Sequence, residues 1–221
     1  MLPNSIKQRL CLIIIAAATV TGCSTADFNS GRGAWNAPEY VYQPRHIRVK
    51  FERALMLMER GDVEAAQAAF EQFNAEHPHY PGAFVNLAII YEGQGRTEDA
   101  LTQLYIALEI IPDYPYALNQ LALIRRKQGH FEAAEDIWLR ATRAAPEYPN
   151  PWYNLAVLYD LYIQDLPAAL MAYEHYQSII TSGAETPEDA ELLADAQAER
   201  WIADLRRRAG PSQASTEGDS L

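Results

Sequence analysis

Side chains able to do nucleophilic, acid–base or metal chemistry are few and scattered. The thiols are Cys11 and Cys23, both within the first 23 residues and ahead of every segment with helical periodicity, so a disulfide framework is excluded. His77 and His79 flank Pro78, while His46, His130 and His175 stand far apart. No cysteine or further histidine lies at ligand spacing from any of them, and no metal site is expected. Gly93-Gln94-Gly95-Arg96 has the composition of a phosphate-loop fragment, but no strand precedes it and it reads as a turn between helices. Acids crowd between Glu185 and Glu191, most simply as the solvated first turn of a helix. Catalysis needs a nucleophile, a base and oxyanion donors that converge. Nothing here converges, so neither an enzyme, nor a cofactor, nor a small-molecule substrate is expected.

The elements that carry these residues belong to a chain of 221 residues, 49% hydrophobic, with a formal charge of −11. Such a chain can bury a substantial core as one domain with tails. Its acidic balance repels phosphate backbones, and nucleic acid is excluded as a partner.

The first segment is an address. Lys7 and Arg9 precede an apolar run from Leu10 to Val20, the charged-then-apolar layout of an export signal. The run is about half the roughly 20 residues a spanning helix needs. It ends in Val20-Thr21-Gly22-Cys23, which resembles the lipobox of bacterial lipoproteins. That resemblance implies cleavage between Gly22 and Cys23 and three acyl chains on Cys23. One buried chain anchors marginally and two or more hold stably, so membrane attachment through the lipid is expected. Ser24 in place of aspartate implies, in Gram-negative members, delivery to the outer membrane with the domain in the periplasm. Cleavage would remove Lys7 and Arg9 of the 18 basic residues and none of the 29 acidic ones, leaving a formal charge of −13. From Ser24 to about Pro44 the chain is rich in Gly, Ser, Asn and Pro and reads as a tether. Its aromatics, Phe28, Trp35, Tyr40 and Tyr42, exceed what a free linker needs.

Self-similarity is the strongest signal. Pro78-His79-Tyr80-Pro81, Pro112-Asp113-Tyr114-Pro115 and Pro146-Glu147-Tyr148-Pro149 recur at a spacing of 34 residues. With repeats beginning at Ile47, Pro81, Pro115 and Pro149, the eighth place holds Ala54, Ala88, Ala122 and Ala156, and the fifteenth Gly61, Gly95 and Gly129. The twentieth holds Ala66, Ala100 and Ala134, joined by Ala169 after one inserted residue. Small side chains at places eight and twenty let paired helices cross closely. Glycine between them suits the left-handed end of the first helix, and the prolines stop the second helix and hold the preceding tyrosine extended. Phe84, Leu87 and Tyr91, Leu118 and Leu121, and Trp152, Leu155 and Tyr159 mark one buried face of each first helix.

Period, columns and turn chemistry together resemble the tetratricopeptide repeat over residues 47 to about 182. The resemblance implies an all-α fold, a short right-handed α-solenoid of four helix pairs. Repeat one departs from the pattern with Lys50, Arg53 and Phe73, and repeat four with Tyr162-Ile163-Gln164-Asp165 in place of the glycine turn. A C-terminal capping helix is expected from Thr186 and Pro187 to Arg208, with Ala194, Ala198, Trp201, Ile202 and Leu205 on one stripe. The resulting organisation is a signal peptide (1–22), a lipidated tether (23–46), four repeats (47–80, 81–114, 115–148 and 149–183), the capping helix (184–209) and a disordered polar tail (210–221).

In this family the first helices line a concave groove through places two, five, nine, twelve and thirteen. Carried onto this chain, those places hold Phe51, Leu55, Val85, Ile89, Tyr116, Asn119, Leu123, Tyr153 and Val157, with Arg126 among the charged residues of the rim. The resemblance implies a protein partner of the cell envelope, bound as a peptide or helix by a membrane-anchored scaffold. Two alternatives concern the groove: its apolar residues serve only inter-helix packing, or the aromatic tether fills it in cis. A pilotin-like lipoprotein assisting assembly of a secretin or pilus complex is the alternative function.

Overall fold

The structure, a computed structural model, describes residues 44–184 and 193–209. The signal peptide, Gly22, Cys23, the tether up to residue 43, Thr186, Pro187 and the polar tail lie outside the described residues. Among the described residues, nine α-helices and one π-helical turn follow in order: α1 (Arg45–Glu59), α2 (Val63–Glu76), α3 (Pro81–Gly93), α4 (Thr97–Ile110), α5 (Pro115–Lys127), α6 (Phe131–Ala144), α7 (Pro149–Leu158) with the turn Tyr159–Ile163, α8 (Leu166–Thr181) and α9 (Ala196–Ala209). Each odd helix from α1 to α7 packs on the even helix that follows it, each even helix packs on the next odd one, and α3, α5 and α7 also pack side by side. The result is an all-α solenoid.

The repeat columns act as their chemistry requires. Pro81, Pro115 and Pro149 open α3, α5 and α7, behind Tyr80, Tyr114 and Tyr148 in extended conformation. Gly61, Gly95 and Gly129 close the first three odd helices at φ of 78°, 76° and 80°, a region L side chains avoid. In each turn the next backbone N–H reaches five residues back, from Asp62 to Leu57, Arg96 to Tyr91 and His130 to Arg125, as in a Schellman motif. All eight alanines of the two columns, Ala169 included, are buried.

Repeat one restores from its second helix the volume its first helix lacks. Lys50 and Arg53 point outward, Lys50 pairing with Glu76, while Phe51 meets Phe70 and Phe73 edge-on at centroid separations of 5.6 and 5.4 Å. Where Phe73 stands, the next repeats need only Ala107 and Ala141, both buried.

Three boundaries differ from expectation. α1 begins at Arg45, because the Pro44 carbonyl accepts from the Ile47 and Arg48 amides, so the helix takes two residues assigned to the tether. The capping helix is interrupted near its start, within the described residues. The chain bends at Ala194, and Asp195 caps α9 by accepting from the Gln197 and Ala198 amides at 2.8 and 3.1 Å. In repeat four the inserted residue is absorbed as a π-helical turn, and Gln164, at φ 63°, takes the left-handed conformation glycine holds elsewhere.

The two ends are unlike. α9 seals the last repeat with Ala198, Ile202 and Leu205. At the first repeat, Val49 and Met56 are 51% and 48% exposed. The same two places in later repeats hold Ala83, Ile90, Ala117, Ile124, Pro151 and Leu158, all buried.

Candidate protein-binding groove

The place-nine residues Leu55, Ile89, Leu123 and Val157 share one position on four successive odd helices and are all half-buried. Because α3, α5 and α7 lie side by side, Ile89, Leu123 and Val157 form an apolar stripe across the array, which Leu55 continues at the same place of the first repeat. Leu55 and Ile89 rest on the core of repeats one to three, and Leu123 and Val157 on that of repeats three and four with α9.

Place five was expected to share this floor, and in three repeats it does not. Phe51, Val85 and Asn119 are buried and offer no contact surface. In repeat three a place-six side chain of the following odd helix reaches over that level. Asn154 Nδ2 donates to Asn119 Oδ1 at 3.0 Å, and Trp138 Nε1 donates to the same oxygen at 3.0 Å. One amide oxygen therefore satisfies two buried donors from two different helices, as buried polar groups demand. At Tyr153 the shift is partial. Its ring packs 5.3 Å from Tyr176 on α8 and 6.0 Å from Trp201 on α9, and the residue is half-buried. Tyr116, half-buried at place two, sits between Tyr114 and Tyr148 at 5.2 and 4.7 Å.

The rim is ordered by charge. Lys127 Nζ meets Glu92 at 2.6 Å and Arg208 meets Asp160 at 2.9 Å, the same step from one odd helix to the next. Arg126 behaves differently: its guanidinium lies 5.6 Å from the Trp138 ring centre and 6.0 Å from that of Tyr162, within cation–π range. Behind the groove, burial raises the Tyr159 hydroxyl pKa, helped by a 2.7 Å bond to Glu135. Burial, with Asp195 nearby, raises that of Tyr176. These phenols are neutral struts that hold helices together.

Two of the histidines pack against aromatic rings, while His46, His79 and His130 are exposed. His77 lies 4.9 Å from Phe73, and His175 stacks 4.0 Å from Trp152. Among the described residues no three metal-capable side chains converge, and no helix is long and apolar enough to cross a membrane. The recess at the last turn, lined by Ile163, Gln164, Asp165, Leu166, Pro167 and Arg208, is open to solvent. Reading by register missed the Trp138–Asn119–Asn154 network, although the amides Asn86, Gln120 and Asn154 at place six were a visible column. It also missed the exposed apolar residues of the π-helical turn, which the single inserted residue signals.

Two family profiles described as tetratricopeptide repeat match residues 57–124 and 119–181. The chain belongs to the tetratricopeptide repeat family. Solved structures agree on the fold. The Pseudomonas aeruginosa protein pilF superposes with a TM-score of 0.56 at 19% identity, over 76% of this chain and 78% of that one. A tetratricopeptide repeat protein from Parabacteroides merdae gives 0.51 at 18%, over 75% and 62%. A structure of the APC/C hetero-tetramer Cut9–Hcn1 gives 0.57 at 11%, over 81% and 40%. No curated protein matches the chain. Tetratricopeptide repeats build surfaces for protein partners.

Proposed function

We propose that this tetratricopeptide repeat protein is a membrane-anchored interaction scaffold of the bacterial cell envelope, holding a peptide or helix of a protein partner in its concave groove. The observation that carries the reading is the stripe Leu55, Ile89, Leu123 and Val157, four apolar side chains in register and each partly open to solvent. Covering them removes apolar surface from water, and anchors at the centre of an interface commonly contribute ~2 kcal/mol or more each.

Attachment rests on the Val20-Thr21-Gly22-Cys23 motif. Cleavage after Gly22 and acylation of Cys23 would place the array in the periplasm on the outer membrane. A pilotin-like lipoprotein assisting a secretin or pilus complex would use the same groove and differ only in its occupant.

The test is crosslinking in intact cells, with capture by the native chain and by Ile89→Asp and Leu123→Asp variants. Loss of the captured protein, with helicity and melting retained, supports the scaffold. Undiminished capture by both folded variants removes the groove. For the anchor, Cys23→Ser should abolish acylation and leave the chain uncut at Gly22; a mature terminus mapped elsewhere sinks the lipoprotein reading.

A further inference from the structure

Repeat four departs from its sisters at one point, and the departure has a surface consequence. Places thirteen and fourteen hold Glu59-Arg60, Gly93-Gln94 and Lys127-Gln128 in the first three repeats, but Leu161-Tyr162 in the fourth, followed by the extra residue Ile163. The π-helical turn that accommodates the insertion presents all three to solvent, at 65%, 46% and 40% exposure. Insertions of this kind occur frequently at functional sites, and a contiguous exposed apolar patch commonly marks an interaction surface.

The neighbouring charge gives the patch its chemistry. Arg126 lies over Tyr162 and Trp138, and Tyr162 is braced 4.9 Å from Phe131. The flanking cations Lys127 and Arg208 are neutralised by Glu92 and Asp160. Arg126 meets no carboxylate and no hydrogen-bond acceptor among the described residues. A guanidinium set beside aromatic rings, with no carboxylate of its own, keeps N–H donors available for a bidentate carboxylate. Fixing it beforehand also removes part of the ordering cost of binding. In a chain of formal charge −11, Arg126 stands out beside three exposed apolar side chains as a cation that no carboxylate of the described residues pairs. A phospholipid surface would meet the same acidic excess over the rest of the molecule, which favours a protein segment instead.

We infer that the corner formed by Arg126, Leu161, Tyr162 and Ile163 is a second contact site at the edge of the groove, and that it recognises a partner segment carrying an aspartate or glutamate next to large apolar residues. The inference rests on the groove reading for its partner but on different residues for its contacts. The carboxylate forks onto Arg126 while the adjacent apolar side chains cover Leu161 and Ile163.

The full chain carrying Cys23→Ser, which leaves no acyl group to compete, is panned against a displayed library of random short peptides. The expected winners contain an acidic residue flanked by apolar ones. For the best of them, synthesised, Arg126→Gln and Leu161→Ser should each weaken binding by at least about tenfold. Replacing the peptide's acid by its amide should cost nothing further in the Arg126→Gln chain, the non-additivity that marks a direct pair. Peptides that lose binding on Leu123→Asp but are indifferent to Arg126→Gln and Leu161→Ser overturn this inference and leave the groove standing. Peptides indifferent to Leu123→Asp but lost with Arg126 do the reverse. Enrichment of no peptide overturns both. Pelleting of the Cys23→Ser chain with phosphatidylglycerol vesicles, abolished by Leu161→Ser, makes the corner a lipid hook and also overturns it.

Discussion

Exchanging the residues that close the first helices should move stability in opposite directions in repeats two and four. Gln164 sits at φ 63° where Gly95 sits at 76°, and a Cβ built on Gly95 meets nothing within 4 Å. Backbone conformation is thus the only difference in play. A non-glycine residue in the left-handed region costs roughly 1–2 kcal/mol, and glycine's greater loss of freedom on folding returns about 0.5–1 kcal/mol of that. Gln164→Gly should therefore stabilise by about 0.5–1 kcal/mol, and Gly95→Ala should destabilise by about as much. Gln164 makes no side-chain hydrogen bond among the described residues that the change would sacrifice. The assay is urea unfolding followed by circular dichroism, in which the two variants should part by about 1–2 kcal/mol at unchanged slope. In thermal melts this is several degrees, at about 2–4 °C per kcal/mol for a domain of this size. Destabilisation by Gln164→Gly, or neutrality of Gly95→Ala, would refute the argument that left-handed backbone closes these helices.

Asn119→Leu should cost about 2–4 kcal/mol, because Trp138 Nε1 and Asn154 Nδ2 lose their shared acceptor inside the core and each orphaned donor carries a desolvation penalty. Asn154→Leu should cost much less, since Trp138 keeps its acceptor; equal midpoints in urea would show that the network contributes nothing. Alkaline pH gives a third test. Burial raises the pKa of Tyr159, Tyr173 and Tyr176 above the ordinary 10.0. Below that value neither folded nor unfolded chain ionises them and stability is flat. Above it the unfolded chain releases their protons first, so stability falls as pH rises. Phenolate absorbance from these residues should appear only together with loss of helicity, and Tyr176→Phe should reduce the steepness of that fall. Full titration near pH 10 with helicity intact would contradict it.

What could be read from sequence follows the physics of each feature. The 34-residue period is a backbone matter, set by proline, glycine and alanine at fixed places, and those residues act in the structure as their chemistry requires. Groove membership depends on how far a neighbouring helix overlaps, which residue type does not encode. Phe51, Val85 and Asn119 therefore look like floor in a register and are core in the fold, while Leu55, Ile89, Leu123 and Val157, one turn further on, clear the neighbour and are half-exposed. The break at Ala194 escapes a reading of the sequence for a related reason. Thr186-Pro187 and Asp195 both carry helix-start chemistry, and the chain bends at Ala194, where the alanine stripe hides any break in periodicity. The π-helical turn could have been located from the one-residue shift of Ala169 alone.

That shift also constrains why repeat four differs. An insertion between paired helices ordinarily rotates everything after it by about 100° and would turn the buried face of α8 outward. Here the Tyr159 carbonyl accepts from both the Gln164 and the Asp165 amides. Asp165 then caps α8 through the Ala168 amide at 3.0 Å, and Ala169, Ala172 and Tyr173 are buried as the array requires. The extra residue is confined to a single turn, so the solenoid neither gains nor loses by it. A turn under no constraint beyond closure would be served by glycine and polar residues, as in the first three repeats. Leu161, Tyr162 and Ile163 contribute little to the core, and their exposed apolar area is unfavourable in the free protein. The feature that makes the sequence consistent is a surface that covers them, and Arg126, 6.0 Å from the Tyr162 ring centre and without a carboxylate of its own chain among the described residues, supplies that surface with its charge.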